Sequence, residues 1–456
     1  MRPVRSFFFR RTRLLAAVAL LAPCASADDV TYVGGNGLWN TASNWSVSYM
    51  GQSFAARLPD QNDTVLIPAN VAYNVGANSP GYGILRVDAA ATPTLTLNQA
   101  VTVNAGVFRV GYAQRGAVTH SAGTVNALTP HGLVIGSQAG AVGSYALSGS
   151  AALNVESQLI VGEVGAGSFN QSGTSTVNAA DATVVVGSES PGVGTYTKSG
   201  GSLTAYDLQI APYGGAGTFN HSAGQLTVAN ELSIGANGRF NHTGGTVKTA
   251  ALTIAAGGKL DLTNRALVID YAGGSPLATI ANLVKTGATA GRTWTGAGIT
   301  SGTAAADAAK RTGIGFVESA TAFPSLTGGQ TASWNDVAVD STSLLVRHTL
   351  YGDADLDGAV GLNDLVRLSN AYGTANATWA TGDFDYDGAV GLNDLVLMSN
   401  NYGTALPGLD TPAGSPDFAA DWAYAQALPT ATPEPGALAL LASATALLTR
   451  RRRRLA

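Results

Sequence analysis

"GSYALSGSAALNVESQLIVG" spans residues 143–162, and "GSFNQSGTSTVNAADATVVVG" follows at residues 167–187. Each stretch opens on glycine and places an aromatic two residues in. A hydroxyl followed by glycine comes next, and an apolar residue plus glycine closes it. The closing landmark recurs along the chain as Val110-Gly111, Ile135-Gly136, Val161-Gly162, Val186-Gly187, Ile210-Ala211, Ile234-Gly235 and Ile254-Ala255, in steps of 25, 26, 25, 24, 24 and 20 residues. The aromatic landmark recurs as Tyr145, Phe169, Tyr196, Phe219 and Phe240, and the hydroxyl–glycine one as Ser148-Gly149, Ser172-Gly173, Ser199-Gly200 and Thr243-Gly244.

A period of about 25 residues built from short apolar strands and glycine corners reads as a stacked repeat. One unit cannot bury its apolar face, whereas stacked units can. Like residues would lie over like at about 4.8 Å, the spacing of paired strands. The expected fold is therefore mainly β: a parallel β-solenoid (β-helix) over residues 101–270. An irregular β-sandwich would not predict so regular a step.

Composition agrees. Only 12% of the 456 residues are charged, 45% are apolar and 57 are glycine, which favours strands and turns over disorder or long helices. Upstream, residues 28–100 are expected to form an N-terminal β cap, with Trp39 and Trp45 covering the exposed first coil. The pattern "GLWNTASNW" (residues 37–45), followed by "RLPDQNDTVLIP", resembles the starts of bacterial surface proteins with autotransporter-associated β repeats. Residues 271–350 are expected to close the other end as a β segment around Trp294 and Trp334.

Both chain ends read as addresses. Arg2, Arg5, Arg10, Arg11 and Arg13, then "LLAAVALLAP", then Ala25-Ser26-Ala27 follow the order of a secretory signal peptide, residues 1–27. Its removal takes away Cys24, the single cysteine, so disulfides cannot stabilise the exported chain. After a linker at 406–432, residues 433–456 run Pro433-Glu434-Pro435, a short apolar stretch and Arg450 to Arg454. This arrangement resembles the PEP-CTERM sorting signal. The resemblance implies a short transmembrane helix held transiently in the inner membrane, tail removal by an exosortase, and a place outside the cell or on the surface of a Gram-negative bacterium. Ten of the 25 basic residues sit in these two ends, so the body between them is strongly acidic. A nucleic-acid partner is not expected.

The repeats carry scattered carboxylates: Glu156, Glu163, Asp181, Glu189, Asp207, Glu231, Asp261 and Asp270. Glu156 and Asp181 each lie five residues before their landmark. On neighbouring coils they would approach the separation of a retaining glycosidase pair, or simply sit on a solvated loop. His120, His221 and His242 fall in a column that elsewhere holds Leu147, Gln171 and Lys198, and a column of such mixed content is expected to face solvent.

The remaining signal is a stretch said twice: "GDADLDGAVGLNDLVRLSNAYG" (residues 352–373) and "GDFDYDGAVGLNDLVLMSNNYG" (residues 382–403). Asp353, Asp355, Asp357 and Asp364 occupy positions 1, 3, 5 and 12 of a loop with Gly358 at position 6. Asp383, Asp385, Asp387, Gly388 and Asp394 repeat the pattern. That spacing gathers four carboxylates round one point, and the carbonyls of Ala359 and Ala389 would add position 7, a donor set suited to Ca2+. Two ions are expected. Leu362, Leu365, Val366 and Tyr372, and Leu392, Leu395, Val396 and Tyr402, fall at helical spacing, so two loop–helix units are expected to pack apolar face to apolar face.

Residues 351–405 thereby resemble a type I dockerin. The resemblance implies a small α-helical domain with two EF-hand-like loops that docks on a cohesin-like protein in the presence of calcium, often near polysaccharide. Leu362-Asn363 and Leu392-Asn393 stand where dockerins often carry Ser/Thr-type residues. The expected function is a secreted, cell-surface-associated, non-catalytic structural or adhesion protein with a calcium-dependent docking module, linked to a cohesin-like partner or to the extracellular polysaccharide matrix. The alternative is a dockerin-tethered β-helix enzyme, a lyase or glycoside hydrolase acting on polysaccharide.

Overall fold

The computed structural model describes residues 28–35, 37–73, 81–407 and 417–428; the stretches read as a signal peptide and a sorting tail lie outside them. The chain is mainly β and forms a parallel β-solenoid of about eight turns. Each full coil has three faces. In one coil these are Ala152–Val155, Gln158–Val161 and Ala166–Gln171, and the next coil lies over them residue for residue. The parallel ladder starts earlier than the clearest repeats. Asp29–Tyr32 pairs in parallel with Thr64–Ile67, which pairs with Tyr82–Val87 and then Thr102–Val110.

Alternation along each strand builds the lumen. The first face contributes Val125, Leu153, Val177 and Leu203, and the second contributes Ile135, Val161, Val186 and Ile210, all essentially closed to solvent. The third face stacks aromatic rings: Tyr145 on Phe169 at 5.2 Å, Phe169 on Tyr196 at 4.7 Å, Tyr196 on Phe219 at 4.7 Å and Phe219 on Phe240 at 5.0 Å. On the outside, Asn126 donates to Asn104 at 2.6 Å and Asn154 donates to Asn126 at 2.8 Å, a short amide ladder that follows the same register. The corner after five of the apolar landmarks is left-handed, at Gly111, Gly136, Gly162, Gly187 and Ala211. Gly187 takes φ 68°, and a Cβ there would run into the backbone of Ala216 in the next coil. Ala211 holds the equivalent corner at φ 55°, so one left-handed corner tolerates a methyl group where four others use glycine.

One sequence expectation is overturned here. The column of His120, Leu147, Gln171, Lys198, His221 and His242 is buried, not solvent-facing. Each residue follows the inward aromatic position by two, so strand alternation turns it into the lumen as well. The polar members are kept by the corner carbonyls. Lys198 Nζ donates to the carbonyls of Gly200 and Gly201, each at 2.6 Å, and to Ala223 O at 3.2 Å. Gln171 Nε2 donates to Ser202 O at 2.8 Å, and the Nε2 atoms of His221 and His242 reach Gly224 O and Ala266 O at 3.2 and 3.1 Å. With Nε2 bonded to a carbonyl, each imidazole carries its proton there. The polar members share one task, donating to inward carbonyls, and Leu147 fills the same inward position with apolar bulk.

The ends are plugged. At the N-terminal end Trp39 and Trp45 are buried against each other at 4.7 Å, and Trp45 Nε1 donates to Trp39 O at 2.8 Å. At the other end Gly298–Thr300 adds to the third face. Ala266–Asp270 pairs antiparallel with Ser343–Leu350, which pairs antiparallel with Thr312–Glu318. This closing segment is not strand alone: Leu277–Ala288 is a helix that buries Ile280 and Val284.

Candidate metal centre

The two acidic stretches fold as loops leading into helices Leu362–Ala371 and Leu392–Ser399. Their local geometry is repeated. In the first loop Asp353 Oδ2 accepts from Gly358 N at 3.0 Å, and in the second Asp383 Oδ2 accepts from Gly388 N at 3.1 Å. The position-6 glycines both take φ 95°, and Leu356 and Tyr386, at position 4, take φ 61° and 63°. Asp364 accepts from Ala354 N and Gly361 N, each at 2.8 Å; Asp394 accepts from Phe384 N at 2.7 Å and Gly391 N at 2.8 Å. The twelfth residue thus ties the loop's start to the first turn of its helix, where N–H groups lack partners.

The carboxylates that converge are Asp353, Asp355 and Asp364 in one loop and Asp383, Asp385 and Asp387 in the other, with one oxygen from each within 4.8 Å of the rest of its group. Asp357 and Asp394, which the spacing also nominates, are not in these closest groups. Asp357 Oδ1 instead accepts from Ala359 N at 2.8 Å, as Asp387 Oδ1 does from Ala389 N.

One observation tests whether a cation fits. Asp353 Oδ1 and Asp383 Oδ1, the same atom in the two loops, are buried and lack any hydrogen-bond partner among the described residues. Burial first, then neighbouring carboxylates, pushes Asp383 up to about 7. Burial likewise pushes Asp353 up to about 7, with Thr349 Oγ1, which donates to it, opposing. Asp364 rises well above the usual carboxylate range, again through burial and then Asp355. Buried, mutually repelling carboxylates with an open lone pair form an incomplete electrostatic set, and an oxygen-seeking divalent cation completes it. The residues present fit Ca2+.

The two units are joined by exchange. Val360 N donates to Thr404 O at 2.9 Å and Gly403 N to Val360 O at 2.9 Å; thirty residues away in pattern, Val390 N donates to Thr374 O at 3.0 Å and Gly373 N to Val390 O at 2.9 Å. Each loop therefore pairs with the segment that follows the other unit's helix. The expected packing of the helices needs correction. Leu362, Tyr372, Leu392 and Val396 are exposed, whereas Leu365, Leu368, Leu397 and Met398 are buried. The inner space is taken by Trp379, Phe384 and Tyr386, and this core continues into the closing segment. Trp379 Nε1 donates to Asp353 O at 2.6 Å, and Tyr386 Oη donates to Ile314 O at 3.0 Å and accepts from Ile314 N at 3.2 Å. Helix Phe418–Ala427, within the stretch read as linker, sets Trp422 against Tyr372 and Phe418 against Tyr402.

Glu156 and Asp181 lie on the turn between the first two faces of adjacent coils. Glu156 and Asp181 are both exposed. That turn has three residues, 155–157, in one coil and four, 179–182, in the next, and each carboxylate stands two residues before the paired positions Gln158 and Thr183. Glu163, another of the scattered carboxylates, sits in a depression with Arg109, and burial raises its carboxyl.

No known protein family, characterised protein or solved structure matches this chain.

Proposed function

We propose that this is an exported, cell-surface-associated, non-catalytic structural or adhesion protein whose C-terminal loops bind two calcium ions and make docking calcium-dependent. The observation that carries the reading is the repeated buried, unpartnered oxygen of Asp353 and Asp383 inside twin acidic loops. Asp353, Asp355, Asp357, Asp364 and the Ala359 carbonyl would hold one ion, and Asp383, Asp385, Asp387, Asp394 and the Ala389 carbonyl the other. Calcium supplies no reaction here; it neutralises the loops and fixes the helices that follow. The solenoid serves as a rigid acidic stalk, and the terminal signals direct export and sorting. Dockerin-like attachment to a cohesin-like protein or to the extracellular polysaccharide matrix is the expected use of such a module.

The test is retention on cell envelopes of the source bacterium. The exported chain should be held in calcium and released by a chelator, and Asp353→Ala with Asp383→Ala should abolish retention. Equal retention with and without calcium would remove the docking reading.

A further inference from the structure

Away from the loops, the solenoid's second face carries two arginines that acid–base pairing leaves largely unanswered. Arg86 and Arg109 are register partners on adjacent coils. Both guanidinium groups lie over the ring of Tyr112, at 4.4 and 5.1 Å from its centre. Asp88, the nearest carboxylate in sequence, is occupied elsewhere: it accepts from the backbone N–H groups of Tyr112, Ala113 and Gln114, and so anchors the loop that carries the ring. Arg109 donates to Ser137 Oγ at 3.1 Å and stands 3.7 Å from Glu163. Arg86 makes no ion pair, and its Nε is buried without a partner among the described residues.

Two like charges one strand spacing apart repel, and a buried guanidinium N–H without an acceptor costs stability. On a chain whose body is strongly acidic, holding such a pair on a fixed aromatic ring makes sense if an external anion completes it. An open depression of about 410 Å³ lies beside them, lined by Arg109, Tyr112, Ser137, Gln138 and Glu163. Serine, glutamine and glutamate offer both donors and acceptors, as hydroxyl-rich ligands require. Glu163 within the same depression disfavours densely charged polyanions such as nucleic acids.

We infer that Arg86 and Arg109, oriented by Tyr112, form a subsite for a carboxylate-bearing sugar unit of an anionic polysaccharide. The guanidinium forks take the carboxylate, and Ser137, Gln138 and Glu163 take the hydroxyls. This names the ligand class for the polysaccharide-linked reading of the protein, and rests on that reading, but it uses none of the calcium ligands.

The experiment is calorimetric titration of the exported chain, in chelator, with tri-galacturonate, the matching neutral trisaccharide, a sulfated trisaccharide and inorganic phosphate. Tri-galacturonate should bind and the other three should bind at least roughly tenfold more weakly. Arg86→Gln and Arg109→Gln should each weaken binding by roughly tenfold, with the thermal transition retained. If Arg86→Gln fails to fold, Arg109→Lys is decisive, because it keeps the charge and loses the fork. No binding, equal binding of the sulfated sugar or phosphate, or indifference to the arginine substitutions overturns the inference. Loss of calcium binding with sugar binding intact would defeat the docking reading and leave the subsite standing.

Discussion

Asp353 and Lys198 pose the same problem with opposite charges: each is closed to solvent, and only one has its electrostatics satisfied from within the chain. Asp353 leaves an oxygen unpartnered, so removing its charge should have opposite effects in the two states of the site. Without calcium, Asp353→Asn is expected to raise the stability of the loop module by on the order of 2 kcal/mol, because a buried uncompensated charge disappears. With calcium it should lower it, because a ligand is lost; thermal melts with and without a chelator read both signs. Lys198 is held by three carbonyls, yet burial lowers it to about 8. Between that value and the ordinary 10.5 the unfolded chain binds the extra proton, so stability rises with pH across this window, by up to about 3 kcal/mol. Lys198→Leu should flatten that rise. On the acid side, burial holds His120 and His242 near 4 and His221 near 3, so the unfolded chain takes up protons first and stability falls as pH drops below 6.5. Denaturant titrations at stepped pH check both limbs.

The elements show what sequence can and cannot carry. The apolar landmarks and aromatic positions announce the coils because every copy repeats one inward residue at one phase. By residue type the histidine–lysine column suits solvent, but phase decides its side: counting two from Tyr196 to Lys198 places it inside. Helix Leu277–Ala288 was legible in Leu277, Ile280, Ala281 and Val284, but the surrounding alternation masked it. The pattern of loop aspartates was plain in sequence, whereas the identity of the unpartnered oxygen depends on hydrogen bonds that spacing does not encode. What no local pattern disclosed is how the module meets the closing segment. Gly313 and Gly315, on strand Thr312–Glu318, leave room for Tyr351, Tyr386, Leu356 and Trp379. Gly315→Val should therefore push Trp379 and Leu356 away and destabilise the protein by about 1–3 kcal/mol. It should also weaken calcium binding, although it touches no ligand; a melt and a calcium titration on one sample measure both. Phe169→Ala, in the middle of the ring stack, should cost about 3–5 kcal/mol and leave calcium binding unaltered.

At the scale of the whole molecule, stacked coils, closing segment and loop module share one continuous apolar core. Tyr386 bridges the second acidic loop to Ile314, and Asn401 Nδ2 donates to Arg311 O and Tyr351 O at 2.8 and 2.7 Å. The proposed calcium binding at the loops would thus be coupled to the end of the solenoid rather than confined to a detached bead. A ligand present at a hundred times its dissociation constant adds about 2.7 kcal/mol per site to whatever unfolds with that site. The calcium-dependent gain should consequently appear in the transition that melts the closing segment, observable through Trp294 and Trp334 as well as Trp379. The most direct measurement is calorimetric titration of calcium into the chain without residues 1–27 and 433–456, freed of metal, with Asp383→Asn alongside. Two ions per chain for the parent, and one for the variant, are the result this account predicts. Absence of binding, or a stoichiometry indifferent to Asp383, would contradict it.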